Sequence, residues 1–73
     1  MTIAQVTLFD PQGHYKPVSA LVTINTIEEI KTNKQKIAKE GIIKICQKRY
    51  WTQKDLKKFG YKECKVRLYQ KEK

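Results

Sequence analysis

Two segments near the start of the chain alternate between apolar and polar residues with a period of two. Apolar side chains occupy every other position of residues 4–8 and again of residues 18–24. This spacing predicts two β-strands, over residues 2–9 and 18–24, each of which buries one face. Between them, the segment Asp10–Gly13 favours a turn, because Asp, Pro and Gly suit its first, second and fourth positions. We therefore predict a β-hairpin with a long, mobile loop at residues 10–17.

The pattern changes to a helical period after residue 25. Thr26 and Glu29 have the spacing of a capping box, in which two side chains bond each other's free backbone amides. Apolar residues then recur at helical spacing as far as residue 38, and Gly41 is a typical C-terminal stop. We predict a helix that ends at this glycine. The apolar run Ile42–Cys46 is then expected to form a buried strand.

A second capping box predicts a shorter helix. Thr52 suits the N-cap position, and Asp55 follows three residues later. Trp51, directly before the cap, is placed to pack on Leu56 as a hydrophobic staple, so we expect Trp51 to anchor the core. Gly60 is expected to end this helix.

A last alternation, over residues 61–69, predicts the final strand, with the even-numbered residues Cys64–Leu68 facing inward. The predicted order is ββαβαβ, an α+β fold in which helices pack on one face of a mostly antiparallel or mixed sheet. The last two strands run parallel if they share a sheet, because a helix connects them. We expect one domain over residues 1–73 with a thin core, and a frayed tail at residues 70–73.

The chain is strongly basic, and its charge is unevenly distributed. Sixteen lysines and arginines face seven aspartates and glutamates, which gives a formal net charge of +9. Residues 31–73 hold fifteen of these basic residues but only four of the acidic ones. Such a cationic segment favours contact with a polyanion or an acidic partner. Because fourteen of the sixteen cations are lysine, a solubilising surface coat is the competing interpretation.

The sequence contains no recognisable catalytic, cofactor or metal site. His14 is the only histidine and Cys46 and Cys64 are the only cysteines, whereas a structural zinc site needs four such ligands. Three glycines do not supply a glycine-rich phosphate loop. We therefore predict a protein that is not an enzyme, with both cysteines reduced and buried. No segment approaches the roughly 20 apolar residues of a membrane span, and the first residues lack a secretory pattern, so we expect a cytoplasmic protein.

Basic and aromatic residues are concentrated in the segment Lys44–Lys58, around the start of the second predicted helix. Tyr50 is a better candidate than Trp51 for an exposed ring that stacks on an unpaired base. Asp55 would repel a phosphate from the helix start, so contact with the nucleic-acid backbone is favoured over reading of bases. The predicted nucleic-acid contacts are Lys44, Lys48, Arg49, Tyr50, Lys54, Lys57, Lys58 and Arg67.

The segment GIIKICQKRYWTQKDLKKFGYKECKVR resembles small lysine-rich proteins encoded by phages and prophages of low-GC Gram-positive bacteria, and the resemblance extends over residues 26–69. It implies a host-takeover or regulatory role, often exerted by binding a host protein. Two hypotheses follow. The first is a non-catalytic, nucleic-acid-associated accessory protein that contacts the phosphate backbone of DNA or RNA. The alternative is a phage-type interaction protein or inhibitor that binds an acidic host protein.

Overall fold

A three-stranded sheet and the helices that cover one face of it form the fold, which the computed structural model describes for residues 2–70. The central strand, β1, pairs antiparallel with β2 on one side and with β3 on the other. The order ββαααβ confirms the predicted α+β class. The strands are β1 (Thr2–Phe9), β2 (Val18–Ile24) and β3 (Glu63–Gln70), and the helices are α1 (Glu29–Thr32), α2 (Lys34–Arg49) and α3 (Gln53–Phe59).

The predicted hairpin is confirmed, with both strands at their predicted bounds. Ala4 pairs with Val22 and Val6 with Ala20, so the apolar residues of the two strands share one face of the sheet. Ala4 and Val6 are fully buried. At the predicted turn, the N–H of Gly13 donates to the carbonyl of residue 10 at 2.9 Å.

β3 lies along the other edge of β1 and begins two residues later than the sequence predicts. Leu8 pairs with Cys64 and Val6 with Val66, which places the even-numbered residues of β3 on the helix side. Cys64 and Val66 are half-buried there. Leu68 is 41% exposed, so the helices leave the end of this strand partly uncovered. The predicted frayed tail lies outside the described residues, except for residue 70 at the end of β3.

The strand predicted at Ile42–Cys46 is wrong, because this segment lies inside α2. Gly41 does not end a helix but lets α2 approach β1, since a Cβ at this position would collide with the Val6 side chain. Ile37, Gly41 and Ile45 are spaced by four residues and therefore share one face of the helix. All three are buried against the sheet. The predicted parallel crossover disappears together with the misassigned strand.

The helix predicted from the first capping box is divided at Asn33, which separates α1 from α2. Half of the predicted box forms, because the Glu29 carboxylate accepts the backbone N–H of Thr26 at 3.2 Å. The N–H of Asn25 donates to the same oxygen at 2.6 Å. The helix itself begins later than expected, with Glu28 as its N-cap and no side-chain bond to cap it.

α3 forms where the sequence predicts it. The Thr52 hydroxyl accepts the N–H of Asp55 at 3.3 Å, and the Asp55 carboxylate accepts the N–H of Thr52 at 2.8 Å. Both halves of the predicted capping box are therefore present. Gly60 ends the helix in the left-handed conformation, at φ 87°.

The core lies between the sheet and the helices. Near the hairpin loop, Leu8 packs with Ile45 of α2, Leu56 of α3 and Tyr61. A second group of buried residues, which includes Ile37, continues the core toward the other end of the sheet. The opposite face of the sheet carries the odd-numbered residues of the strands and is called the open face below.

Candidate nucleic-acid interface

Every lysine and arginine among residues 2–70 is exposed. Within that range, none of their side-chain nitrogens lies within 4.0 Å of a carboxylate oxygen of the same range. The contact of this kind found there joins the imidazole of His14 to Asp10 at 3.6 Å, and it is ionic only when the imidazole is protonated. The positive charges of these side chains are therefore not neutralised by carboxylates of residues 2–70.

Three acidic side chains are bonded to backbone amides instead. Asp10 accepts the N–H groups of Gln12 and His14, each at 2.9 Å. The Gln12 N–H holds the pKa of the Asp10 carboxyl below its usual value and the His14 N–H adds to this effect, although burial acts in the opposite direction. Glu29 and Asp55 accept amides at the starts of helical segments. These acids stabilise turns and helix ends and do not neutralise neighbouring lysines.

Seven of the eight predicted contact residues lie on the helical side of the molecule. Several of these cations lie in the last turn of α2 or α3, where a positive charge interacts favourably with the helix dipole. This interaction stabilises the helix and does not require a ligand. α3 begins four residues after α2 ends, so Lys48 and Arg49 at the end of α2 and Lys54 at the start of α3 flank one short connection. We call this set the helical basic surface: Lys44, Lys48 and Arg49 of α2, and Lys54, Lys57 and Lys58 of α3.

Two members of the helical basic surface already have partners. The Lys44 Nζ donates to the carbonyl of Leu21 at 3.2 Å, on the edge strand β2. A lysine in this place also hinders the pairing of the edge with another chain. The Arg49 guanidinium lies 5.3 Å from the centre of the Trp51 ring. Both side chains remain exposed, but an incoming ligand would compete with these contacts.

Tyr50 occupies the connection between α2 and α3 with its ring in solvent. It is 94% exposed, which confirms the prediction that Tyr50 is the more exposed of the two aromatic neighbours. Its backbone adopts the left-handed conformation, with φ 57° and ψ 36°. Such values are uncommon for residues other than glycine and cost roughly 1 kcal/mol. The ring makes little contact with the core that would offset this cost.

Trp51 packs inward, as predicted, and joins an aromatic group beside the hairpin loop. Its ring centre lies 5.2 Å from that of Phe59 and 5.9 Å from that of Tyr61. Tyr15 of the loop lies 5.3 Å from Phe59, and the Tyr61 hydroxyl donates to the carbonyl of Lys16 at 2.9 Å. The loop is thus anchored on α3 in the structure, while its mobility stays a prediction. Trp51 is half-buried, so a base that stacked on its ring would compete with these contacts.

Arg67 is separated from the other predicted contacts. Its neighbour Val66 pairs with Val6 on the helix side, so Arg67 lies on the open face of the sheet. There it lines a groove with Phe9, Lys65 and Lys16, between the hairpin loop and β3. We call this the sheet-face groove, and its volume is about 710 Å³. Sequence reasoning missed it, because the pairing of β3 with β1 was not predictable from local patterns.

The two cysteines are free thiols. Burial raises the pKa of the Cys46 thiol, and the charge of Asp55 acts in the same direction. Burial also raises the pKa of the Cys64 thiol, although Lys34 opposes this. Cys46 is buried as predicted, whereas Cys64 is only half-buried. Among residues 2–70, no three His, Cys, Asp or Glu side chains are grouped so as to hold a metal ion.

No family model matches the chain, and neither does any of the curated proteins or solved structures compared with it. None of the helices within residues 2–70 is long and apolar enough to cross a membrane.

Proposed function

We propose that this protein is a non-catalytic nucleic-acid-binding protein that contacts the phosphate backbone through the helical basic surface. The observation that carries the proposal is the absence of carboxylate partners for the exposed cations within residues 2–70. A phosphate chain supplies the missing negative charges, and the condensed cations that it releases drive binding. Backbone contact of this kind is independent of sequence.

Tyr50 adds an aromatic contact to this surface. Its ring is free in solvent and follows Lys48 and Arg49 directly in the chain. Base–aromatic stacking tolerates any sequence, because every base has a π face. A ring at this position therefore favours strands with unpaired bases over continuous duplex.

The start of α3 is not part of the proposed contact. The N–H groups of Thr52 and Asp55 are engaged in the capping box, and the Asp55 carboxylate places a negative charge there. We expect phosphates to bind along the exposed lysine side chains rather than at the helix start.

One observation favours the alternative, an acidic protein partner. A depression of about 410 Å³ between α2, α3 and β3 has a largely apolar lining that includes Ile42 and Leu56. Lys39, Lys57 and Lys62 also line it. Apolar surface surrounded by lysines suits an amphipathic segment with acidic residues. Such a partner would bind stoichiometrically and would be captured equally well after nuclease treatment of an extract.

Binding to labelled duplex and single-stranded oligonucleotides at several salt concentrations tests the proposal. Four to six phosphate contacts predict a slope of log affinity against log salt of roughly −3.6 to −5.4 on duplex DNA. The charge reversals Lys48→Glu and Arg49→Glu together should flatten the slope and weaken binding to all sequences alike. Both residues are exposed, so the fold should persist.

The matched control carries Lys31→Glu and Lys36→Glu, which change the net charge equally at exposed positions of α1 and the start of α2. This control should retain most of the affinity and most of the slope. Equal losses in the two variants would show that only net charge matters. Millimolar or absent binding at low salt would contradict the proposal and leave the acidic partner as the better hypothesis.

A further inference from the structure

The open face of the sheet carries a groove that the helical basic surface does not include. Phe9 and Thr7 of β1, at the centre of the sheet, form part of its lining. Lys65 and Arg67 of β3 contribute one side, and the hairpin loop, including Lys16, contributes the other. These cations come from segments more than forty residues apart, and they are brought together by the pairing of β3 with β1.

The charge in the sheet-face groove is positive and largely unopposed. Lys16, Lys65 and Arg67 are exposed and have no carboxylate within 4.0 Å among residues 2–70. The carboxylate that lines the groove, that of Asp10, is buried and held by two backbone amides of its own loop. His14 lies 3.6 Å from this carboxylate at the same wall. An anionic ligand therefore complements the groove.

The groove also presents an aromatic ring beside these cations. Phe9 is half-buried on the open face, and the Lys65 Nζ lies 5.2 Å from the centre of its ring. Thr7, the next residue on the same face, supplies a hydroxyl group. A ring on a sheet surface with cations along one edge is suited to a planar base whose phosphates reach the cations.

We propose that the sheet-face groove binds unpaired nucleotides of a single strand, with a base against Phe9 and the adjoining phosphates on Lys65, Arg67 and Lys16. The inference rests on the proposed function for its ligand class, but it assigns a second site for unpaired bases, on the open face of the sheet and separate from Tyr50. The bases of a duplex are stacked on each other and cannot reach the ring. The lysine that now lies near Phe9 is displaced from the ring and bonds phosphate.

An NMR titration of the ¹⁵N-labelled protein with a thymidine tetranucleotide locates the binding site directly. We expect the largest shifts at the amides of Thr7, Phe9, Lys65 and Arg67 and of the loop residues 13–16. Shifts confined to the helical basic surface would overturn this inference and leave the proposed function intact. No shifts anywhere at low salt would overturn both.

Matched variants then separate the ring from the charges. Phe9→Leu retains an apolar side chain but removes the stacking surface, so affinity for the tetranucleotide should fall about tenfold or more, while affinity for duplex stays unchanged. Lys65→Gln with Arg67→Gln removes two exposed charges and should weaken tetranucleotide binding at least as strongly. The control pair, Lys54→Gln with Lys57→Gln, removes the same charge from α3.

The control pair should weaken duplex binding more than tetranucleotide binding. The inference is overturned if the Lys65/Arg67 pair binds the tetranucleotide as well as wild type does, or if the control pair loses as much of this binding. Because Lys65 and Arg67 are exposed, this pair decides the question even if Phe9→Leu fails to fold.

Discussion

α2 and α3 end in the same way, but one ends at a tyrosine and the other at a glycine. Tyr50 and Gly60 are both left-handed, at φ 57° and φ 87°. The N–H of Tyr50 donates to carbonyls of the last turn of α2, and that of Gly60 does the same in α3. The following residues, Trp51 and Tyr61, each donate an N–H to the helix as well, at 2.9 and 3.0 Å.

This shared geometry is a common way to satisfy the last carbonyls of a helix, and glycine is the usual residue at its left-handed position. At the end of α3, the left-handed position is occupied by glycine, Gly60. At the end of α2, Tyr50 bears the steric cost of a Cβ in this conformation while its ring is 94% exposed. The difference indicates that the side chain of residue 50 adds little to stability. A role in binding, as proposed above, accounts for an aromatic ring there.

The aromatic residues that follow the two ends should have the largest effect on stability. Trp51→Ala is expected to destabilise the protein by about 3 kcal/mol, because the Trp51 ring packs against Phe59 and Tyr61. Tyr61→Ala should cost at least as much, since Tyr61 is buried and its hydroxyl bonds the Lys16 carbonyl. Urea unfolding followed by circular dichroism measures both. If Trp51→Ala kept full stability and lost ligand binding, Trp51 would be a contact residue instead.

The glycine end should tolerate a side chain poorly. Gly60→Ala is expected to cost about 1–2 kcal/mol, the usual penalty for a Cβ in the left-handed region. Steric collision adds little, because the added Cβ would lie 3.4 Å from the nearest atom, an oxygen of Asp10. The same unfolding measurement applies. If Gly60→Ala left the free energy of unfolding unchanged, the steric cost of a Cβ in the left-handed conformation would be negligible in this fold. The comparison with Tyr50 would then lose its basis.

The tyrosine end should respond in the opposite direction. Tyr50→Gly is expected to raise the free energy of unfolding by about 1 kcal/mol, because glycine adopts the left-handed conformation without strain. Tyr50→Ala is the matched control, since it removes the ring but keeps the Cβ, and its stability should stay near that of wild type. If the glycine variant were less stable than the alanine variant, the backbone of residue 50 would not be strained.

Local signals in the sequence were sufficient for the hairpin and for α3. Alternation and the turn at residues 10–13 predicted the first two strands, and the Thr52–Asp55 box with Gly60 predicted the second helix. The strand assigned to Ile42–Cys46 failed because an apolar run has no unique period, and Gly41 suggested a stop. The spacing of Gly41 from the isoleucines four residues before and after it was the signal for a continuous helix in close contact with a strand.

The candidate site was predictable only in part, for a related reason. Exposure of the lysines on α2 and α3 follows from composition and helical spacing, and seven of the eight predicted contacts share that layer. The sheet-face groove depends on which edge of β1 receives β3. That choice is a tertiary one, which local patterns along the chain do not encode, so Arg67 was grouped with the cations of the helices and Phe9 was not considered.

The most direct test of the account is to measure stability and single-strand binding on the same Tyr50→Gly protein. If the ring of Tyr50 contacts an unpaired base, the variant should be more stable than wild type and should bind a labelled single strand about fivefold more weakly or worse. Tyr50→Phe should bind as wild type does, because stacking needs the ring and not the hydroxyl. Unchanged single-strand affinity in the stabilised glycine variant would contradict the role assigned to this residue.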